Sequence, residues 1–228
     1  MYIEKINGPK DIKKMNIEEL AVLANEIREC MLMKMSTKGG HFGSNFGMIE
    51  ATIALHYVFD SPVDKMLFDV SHQCYTHKIL TGRKHAFIEE EHYNDVNGYT
   101  NPNESEHDIF AVGHTSTSIS LACGMAKARD LMGENHNVIA IIGDGSLSGG
   151  EAFEGLDYAA ELGTNLIILV NDNEMSISNN HGGIYNNLRK LRKTIGQCED
   201  NYFKSLGLNY IYAGDGNDID NMIKILMN

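Results

Sequence analysis

The chain has 228 residues, 43% of them hydrophobic and 22% charged, with a formal net charge of −12. That length and apolar share suffice for one large domain with a full core, and the acidic balance argues against nucleic acid or an anionic membrane as a partner. No apolar run approaches the roughly 20 residues of a membrane span, and the start, Met1-Tyr2-Ile3-Glu4-Lys5, has no signal-peptide pattern.

In chain order, Asn16 with Glu19 forms a capping-box pattern that predicts a helix through about Met35, with Leu20, Leu23, Ala24, Ile27 and Met31 on one face. Gly39-Gly40 ends it and opens a loop at His41. A second helix is expected from Asn45 to Val58, a strand over Lys65–Val70, and a short helix from His72 to Leu80 closed by Gly82. Glu89–Glu106 is polar and reads as a long loop. Thr115–Met132 reads as a helix whose start faces a bound ligand. The stretches Asn137–Ile142 and Asn165–Val170 are apolar and read as buried strands. Between them Ala152, Phe153, Leu156, Ala159 and Ala160 repeat at helical spacing over Gly149–Leu162. Asn179–Glu199 carries Arg189, Lys190, Arg192 and Lys193, a cluster that could contact phosphate but reads better as a solvated mobile loop. Leu208–Tyr212 predicts a short strand and Asn217–Met227 a last helix. Cys30, Cys74, Cys123 and Cys198 are scattered without a Cys-x-x-Cys, as free thiols of a reducing cytoplasm would be.

Strand, helix, strand implies a right-handed crossover between parallel strands. The fold class is therefore α/β, a mostly parallel sheet with helices on both faces, formed as a single domain over residues 1–228. Open α/β sheets hold ligands at the carboxyl ends of their strands. There the chain places Gly143-Asp144-Gly145-Ser146 after the first apolar run and Asn171-Asp172-Asn173-Glu174-Met175 after the second.

These residue types suit a divalent cation and a diphosphate. Mg²⁺ takes hard oxygen ligands and only one or two carboxylates, leaving room for phosphate oxygens. Asp144 offers a carboxylate, Asn173 an uncharged amide oxygen and Met175 a backbone carbonyl. Gly143 and Gly145 let backbone approach phosphates closely, and a following helix offers unpaired N–H groups. A Gly-x-Gly alone is weak evidence for phosphate binding. A dinucleotide fingerprint fits less well, because a bare Asp144 would repel pyrophosphate unless a metal lay between them.

The Gly-Asp-Gly and Asn pair resembles the signature of thiamine diphosphate enzymes. Asp69–Arg83, Ser105–Asp108, Gly113–Ser120 and Asn171–Ile177 narrow the resemblance to the 1-deoxy-D-xylulose-5-phosphate synthase family, over nearly the whole chain and in order. The resemblance implies the first of three α/β domains, the thiamine diphosphate-binding (PP-type) domain, with the pyrimidine-binding and C-terminal domains absent from this chain. It implies a transferase that decarboxylates pyruvate and joins the remainder to D-glyceraldehyde 3-phosphate, serving isoprenoid, thiamine and pyridoxal synthesis. It further implies thiamine diphosphate and Mg²⁺ as cofactors, a cytoplasmic homo-oligomer, and a pyrimidine-binding domain or subunit as partner. By position, Asp144, Asn173 and the Met175 carbonyl would hold the metal. His72, Gly113, His114, Thr115, Gly145, Ser146 and Asn173 would contact the cofactor, and His41 would face the substrate and move protons.

Some positions depart from the family pattern. Thr115 replaces serine, Ser146 alanine, Ser71 glycine and Thr76 proline, and the Asn179–Gly207 stretch is shorter than usual. The glutamic acid that tunes the aminopyrimidine belongs to the family's second domain, so the chain by itself is expected to bind weakly and turn over nothing. The alternatives are the small subunit of a split transketolase-like enzyme moving two-carbon units between sugars, and a non-catalytic remnant. His77 has no such assignment. No His/Cys spacing fits zinc, and His107-Asp108 lacks a nucleophile elbow.

Overall fold

The structure, a computed structural model, describes residues 1–175 and 179–228; Ser176 and Ile177, the end of the Asn171–Ile177 motif, lie outside the described residues with Ser178. The chain divides into two compact units, one made of 1–64, 71–113 and 215–228, the other of 65–70 and 114–214.

The second unit contains the sheet. Strands β1 (Lys65–Phe68), β2 (Val138–Gly143) and β3 (Ile167–Asn171) are all parallel and lie in the order β1-β2-β3. Central β2 is buried from Val138 to Ile142, as an apolar parallel strand should be. Edge strand β3 is only half-buried despite its equally apolar sequence. The Ser118–Met132 helix packs on β1 and β2, and the Gly150–Leu162 helix packs on it in turn. Gly155 permits that approach, since a Cβ there would lie 2.9 Å from Ile119 Cγ2. Both helices stop at left-handed glycines, Gly133 and Gly163. At the amino ends of the strands the buried Arg129 donates to the carbonyls of His136 (2.9 Å) and Asn165 (2.7 Å) and to the Thr164 hydroxyl (2.6 Å).

Two expectations for this unit are corrected. The basic segment is not a mobile loop. It forms the Gly183–Lys193 helix, because Ile184, Tyr185, Leu188 and Leu191 recur at helical spacing and are buried. The strand expected at Leu208–Tyr212 does not form. Its residues pack through rings instead: Tyr210 stacks on Phe203 at 5.6 Å, and Tyr212 covers Gly196.

The first unit is helical. Asn16 and Glu19 complete both bonds of the capping box, and the helix runs Ile17–Lys38, one turn further than expected, to Gly39 at φ 76°. The next expected helix is split into Phe42–Phe46 and Ile49–Val58. The second piece packs against Ile17–Lys38 and against the Ile219–Leu226 helix, which buries Ile219, Met222 and Ile223. A short helix at Tyr75–Lys78 continues to Arg83 and turns at Gly82, φ 92°. The long loop at 89–106 is irregular apart from one turn at Glu90–His92, and Glu104 ties it to the buried Lys78 and Arg83.

Beneath these helices lies a buried polar chain. His56 Nε2 meets His77 Nδ1 at 2.9 Å, His77 Nε2 meets Asp108 Oδ1 at 2.9 Å, and Arg83 donates to both Asp108 oxygens at 2.7 and 2.8 Å. Burial would push the Asp108 carboxyl up, but the hydrogen bonds from His77 and Arg83 outweigh it and hold the group well below the usual carboxylate range. Burial lowers both imidazoles. His77 is thus a satisfied core residue.

Candidate functional site

The parallel register pairs Gly143 with Asn171, so the carboxyl ends of β2 and β3 finish side by side. Asp144 follows one and Asp172-Asn173 the other, as neighbouring strand tips about 5 Å apart would place them. Asp144 opens the four-residue Asp144–Leu147 helix and is 2% exposed. Its Oδ2 accepts the Asn180 amide at 2.8 Å, and among the described residues it forms no ion pair. Burial, with the Asp172 charge adding to it, pushes its carboxyl up to about 6. A buried carboxylate beside a second acidic group has a deficit of positive charge. A hard divalent cation fits that deficit.

The Asn171–Met175 loop is shaped by its own amides. Met175 N–H donates to Asn173 Oδ1 at 2.9 Å and Glu174 N–H to Asp172 Oδ1 at 3.2 Å, with Glu174 left-handed at φ 62°. Asn173 and Met175 are exposed. An amide oxygen has two lone pairs, so Asn173 retains one for a metal.

The glycine loop is pinned from behind. Ser116 Oγ donates to the Ser146 carbonyl at 2.7 Å, and a Cβ on Gly149 would lie 1.9 Å from that same oxygen. Ser148 Oγ donates to the Gly145 carbonyl at 3.0 Å. His114 and Thr115 are exposed just before the Ser118–Met132 helix. That helix begins three residues later than expected, and its start is already occupied. Asp69 accepts the N–H groups of Ser116 (2.9 Å) and Ser118 (3.0 Å), so those two amides are not open to a diphosphate.

In the first unit the structure brings His41 and His72 together. Their rings meet edge to face, 4.9 Å between centroids at 75°. His72 Nε2 lies 2.9 Å from Ser44 Oγ. Buried Asn45 ties both loops, donating to the carbonyls of His41 (3.0 Å) and His72 (2.8 Å) and accepting the Tyr75 N–H at 3.1 Å. His41 itself is exposed, as is Gly113. Ser71, where glycine is the family's residue, sits at φ 67°, a conformation that favours glycine. Its hydroxyl offsets the strain by donating to the Val112 carbonyl (3.0 Å) and accepting the Thr100 N–H (3.0 Å).

Sequence reasoning missed Asn180, Ser116 and Asp69, all polar residues whose partners lie 30 or more positions away. Two other features compete for attention. Glu89, Glu91 and His92 come within 4.8 Å of one another, but His92 is already held by Asp95 at 2.7 Å on the surface. A cavity of about 280 Å³ beside Phe153, Asn186, Lys190, Asp200 and Tyr202 includes none of the expected site residues.

A family profile described as 1-deoxy-D-xylulose-5-phosphate synthase matches residues 3–199. The 1-deoxy-D-xylulose-5-phosphate synthase of Dictyoglomus turgidum is 53% identical over 193 residues, covering 85% of this chain and 31% of that protein. That of Caldanaerobacter subterraneus subsp. tengcongensis is 42% identical over 260 aligned positions, covering 98% of this chain and 42% of that protein. The chain thus spans well under half the length of these curated relatives. Among solved structures, transketolase from Leishmania mexicana has the same fold, with a TM-score of 0.70 at 20% identity over 93% of this chain and 34% of that one.

Proposed function

We propose that this chain, which belongs to the 1-deoxy-D-xylulose-5-phosphate synthase family, supplies the diphosphate- and Mg²⁺-binding part of a thiamine diphosphate-dependent synthase that decarboxylates pyruvate and condenses the remainder with D-glyceraldehyde 3-phosphate. The observation that supports it most is Asp144, a buried carboxylate without an ion-pair partner among the described residues, at the tip of a strand whose neighbour ends in Asn173. In this reading Asp144, Asn173 and the Met175 carbonyl hold the ion. When bound, the cofactor would supply its thiazolium ring as the electron sink for the decarboxylation.

The chain's own residues then position and exchange protons. Gly145 and Ser146 present backbone to the diphosphate, in a loop held by Ser116. Gly113, His114 and Thr115 flank the cofactor. His72, its orientation fixed by Ser44, contacts the cofactor, and the exposed His41 moves protons for the substrate. A pyrimidine-binding domain or subunit completes the site, and the assembly is a homo-oligomer.

The test is Mg²⁺-dependent binding of thiamine diphosphate to the full chain by calorimetry. Asp144→Ala is expected to abolish it, and unchanged affinity in that variant would refute the assignment. The purified chain is expected to form no product from pyruvate and D-glyceraldehyde 3-phosphate by itself; measurable product would show the active site complete without a partner.

A further inference from the structure

We propose that Arg192 is a positioning residue for the metal loop: its guanidinium occupies the carboxylates on either side of Asn173, so that Asp144 is left as the carboxylate that meets a divalent cation and the ion keeps charge for a diphosphate. This rests on the metal reading of Asp144 and adds to it a device that sets how strongly metal and diphosphate depend on each other.

The geometry is direct. Arg192 Nη1 pairs with Asp172 and Nη2 with Glu174, one nitrogen to each side of the presumed ligand. The guanidinium is fixed from its own side as well. It projects from the Gly183–Lys193 helix, whose neighbouring residue Leu191 is 1% exposed and whose Ile184, Tyr185 and Leu188 are also buried. The loop it grips holds Glu174 in the left-handed region, a conformation that persists only when its surroundings enforce it. The sheet register pairs Gly143 with Asn171, so Asp172 follows one strand tip as Asp144 follows its neighbour.

The chemistry follows from counting carboxylates. With Asp172 unmasked, Asp144 would have an acidic neighbour at the adjoining strand tip. A divalent ion held between two carboxylates is fully neutralised and has little attraction left for phosphate oxygens. With one open carboxylate it keeps a net positive charge, the state in which Mg²⁺ takes phosphate ligands. A planar fork can span two carboxylates at once; a lysine ammonium can serve them only as a point charge.

The experiment titrates the full chain with Mn²⁺, free ion read by electron paramagnetic resonance, without and with saturating inorganic diphosphate and against a protein-free control. In the unaltered chain diphosphate is expected to raise Mn²⁺ affinity. In Arg192→Met, bare Mn²⁺ should bind more tightly while the enhancement by diphosphate falls by about fivefold or more. Loss of a merely structural residue would weaken both. Arg192→Lys should lie between. Should R192M lose its fold, the triple variant Arg192→Met/Asp172→Asn/Glu174→Gln, which removes both acids that Arg192 masks and leaves Asp144 as the open carboxylate, is expected to restore the original enhancement. Equal enhancement in R192M and the unaltered chain, or failure of the triple variant to restore it, overturns the proposal. Asp144→Asn separates the two readings. If it binds Mn²⁺ and diphosphate as the unaltered chain does, or if the unaltered chain binds neither, the metal site itself is wrong and the role of Arg192 falls with it. If D144N abolishes binding while R192M changes nothing, only the role of Arg192 is wrong.

Discussion

Gly149→Ala tests the pin behind the glycine loop. A Cβ at 149 would lie 1.9 Å from Ser116 Oγ and 2.7 Å from Ser116 Cβ, and both distances are inside contact. Ser116 cannot turn away freely: its N–H is held by Asp69, its hydroxyl by the Ser146 carbonyl, and its backbone sits at φ 73°. Overpacking of this kind costs about 1–3 kcal/mol, and displacing the hydroxyl from Ser146 adds about 1 kcal/mol. The single variant should therefore lose about 2–4 kcal/mol. Ser116→Gly should be close to neutral, because the lost hydrogen bond is offset by relief of the left-handed backbone, about 1–2 kcal/mol. In the double variant the clash is gone, so G149A should then cost under about 1 kcal/mol, a coupling of about 2 kcal/mol between the two sites. Urea unfolding of the four proteins measures the cycle. Additive costs, or a G149A protein as stable as its parent, would show that Ser116 is not pinned where the geometry puts it.

The buried polar chain predicts an acid response in two stages. His56 and His77 are held below their ordinary value of 6.5, so the unfolded chain binds more protons than the folded one as pH falls through 6.5, and stability declines from there. Asp108, held below its ordinary 3.8, contributes fully above that value and is lost as pH falls beneath it. Asp108→Asn should cost about 3 kcal/mol at pH 7, because buried Arg83 then shares the Glu104 carboxylate with Lys78, and should flatten the second stage; a melting-temperature profile with an unaltered acid limb in that variant would contradict this. Arg129→Lys replaces a fork serving two carbonyls and a hydroxyl by one ammonium. It should cost about 2–4 kcal/mol, or roughly 5–15 °C of melting temperature, while Mn²⁺ binding at the far ends of the strands stays unchanged.

Local chemistry made much of this fold readable. Asn16 and Glu19 lie three residues apart and satisfy each other, so a window of four residues contains the whole signal. β2 is legible because every residue from Val138 to Ile142 is apolar, and the place of Asp144 at a strand end because Gly143 marks where that apolar run stops. The Gly183–Lys193 helix was also readable from Ile184, Tyr185, Leu188 and Leu191, but its cationic residues drew attention to the solvated side. What could not be read is long-range pairing. Nothing near Arg192 indicates Asp172, 20 positions earlier, and nothing near His77 indicates that His56 and Asp108 will close around it. Leu208–Tyr212 has strand-forming residues, but its tyrosines are engaged elsewhere, Tyr210 stacked on Phe203 and Tyr212 laid over Gly196.

The line from Arg83 to His56 has a direction. Asp108, anionic, can only accept, so His77 must place its proton on Nε2 and leave Nδ1 bare; His56 must then place its own proton on Nε2 and leave Nδ1 as an acceptor, which is buried without a hydrogen-bond donor among the described residues. One carboxylate, held ionised by a guanidinium, thus dictates the tautomers of two imidazoles in succession, and His77 cannot gain a proton on Nδ1, the side facing His56, without severing the line.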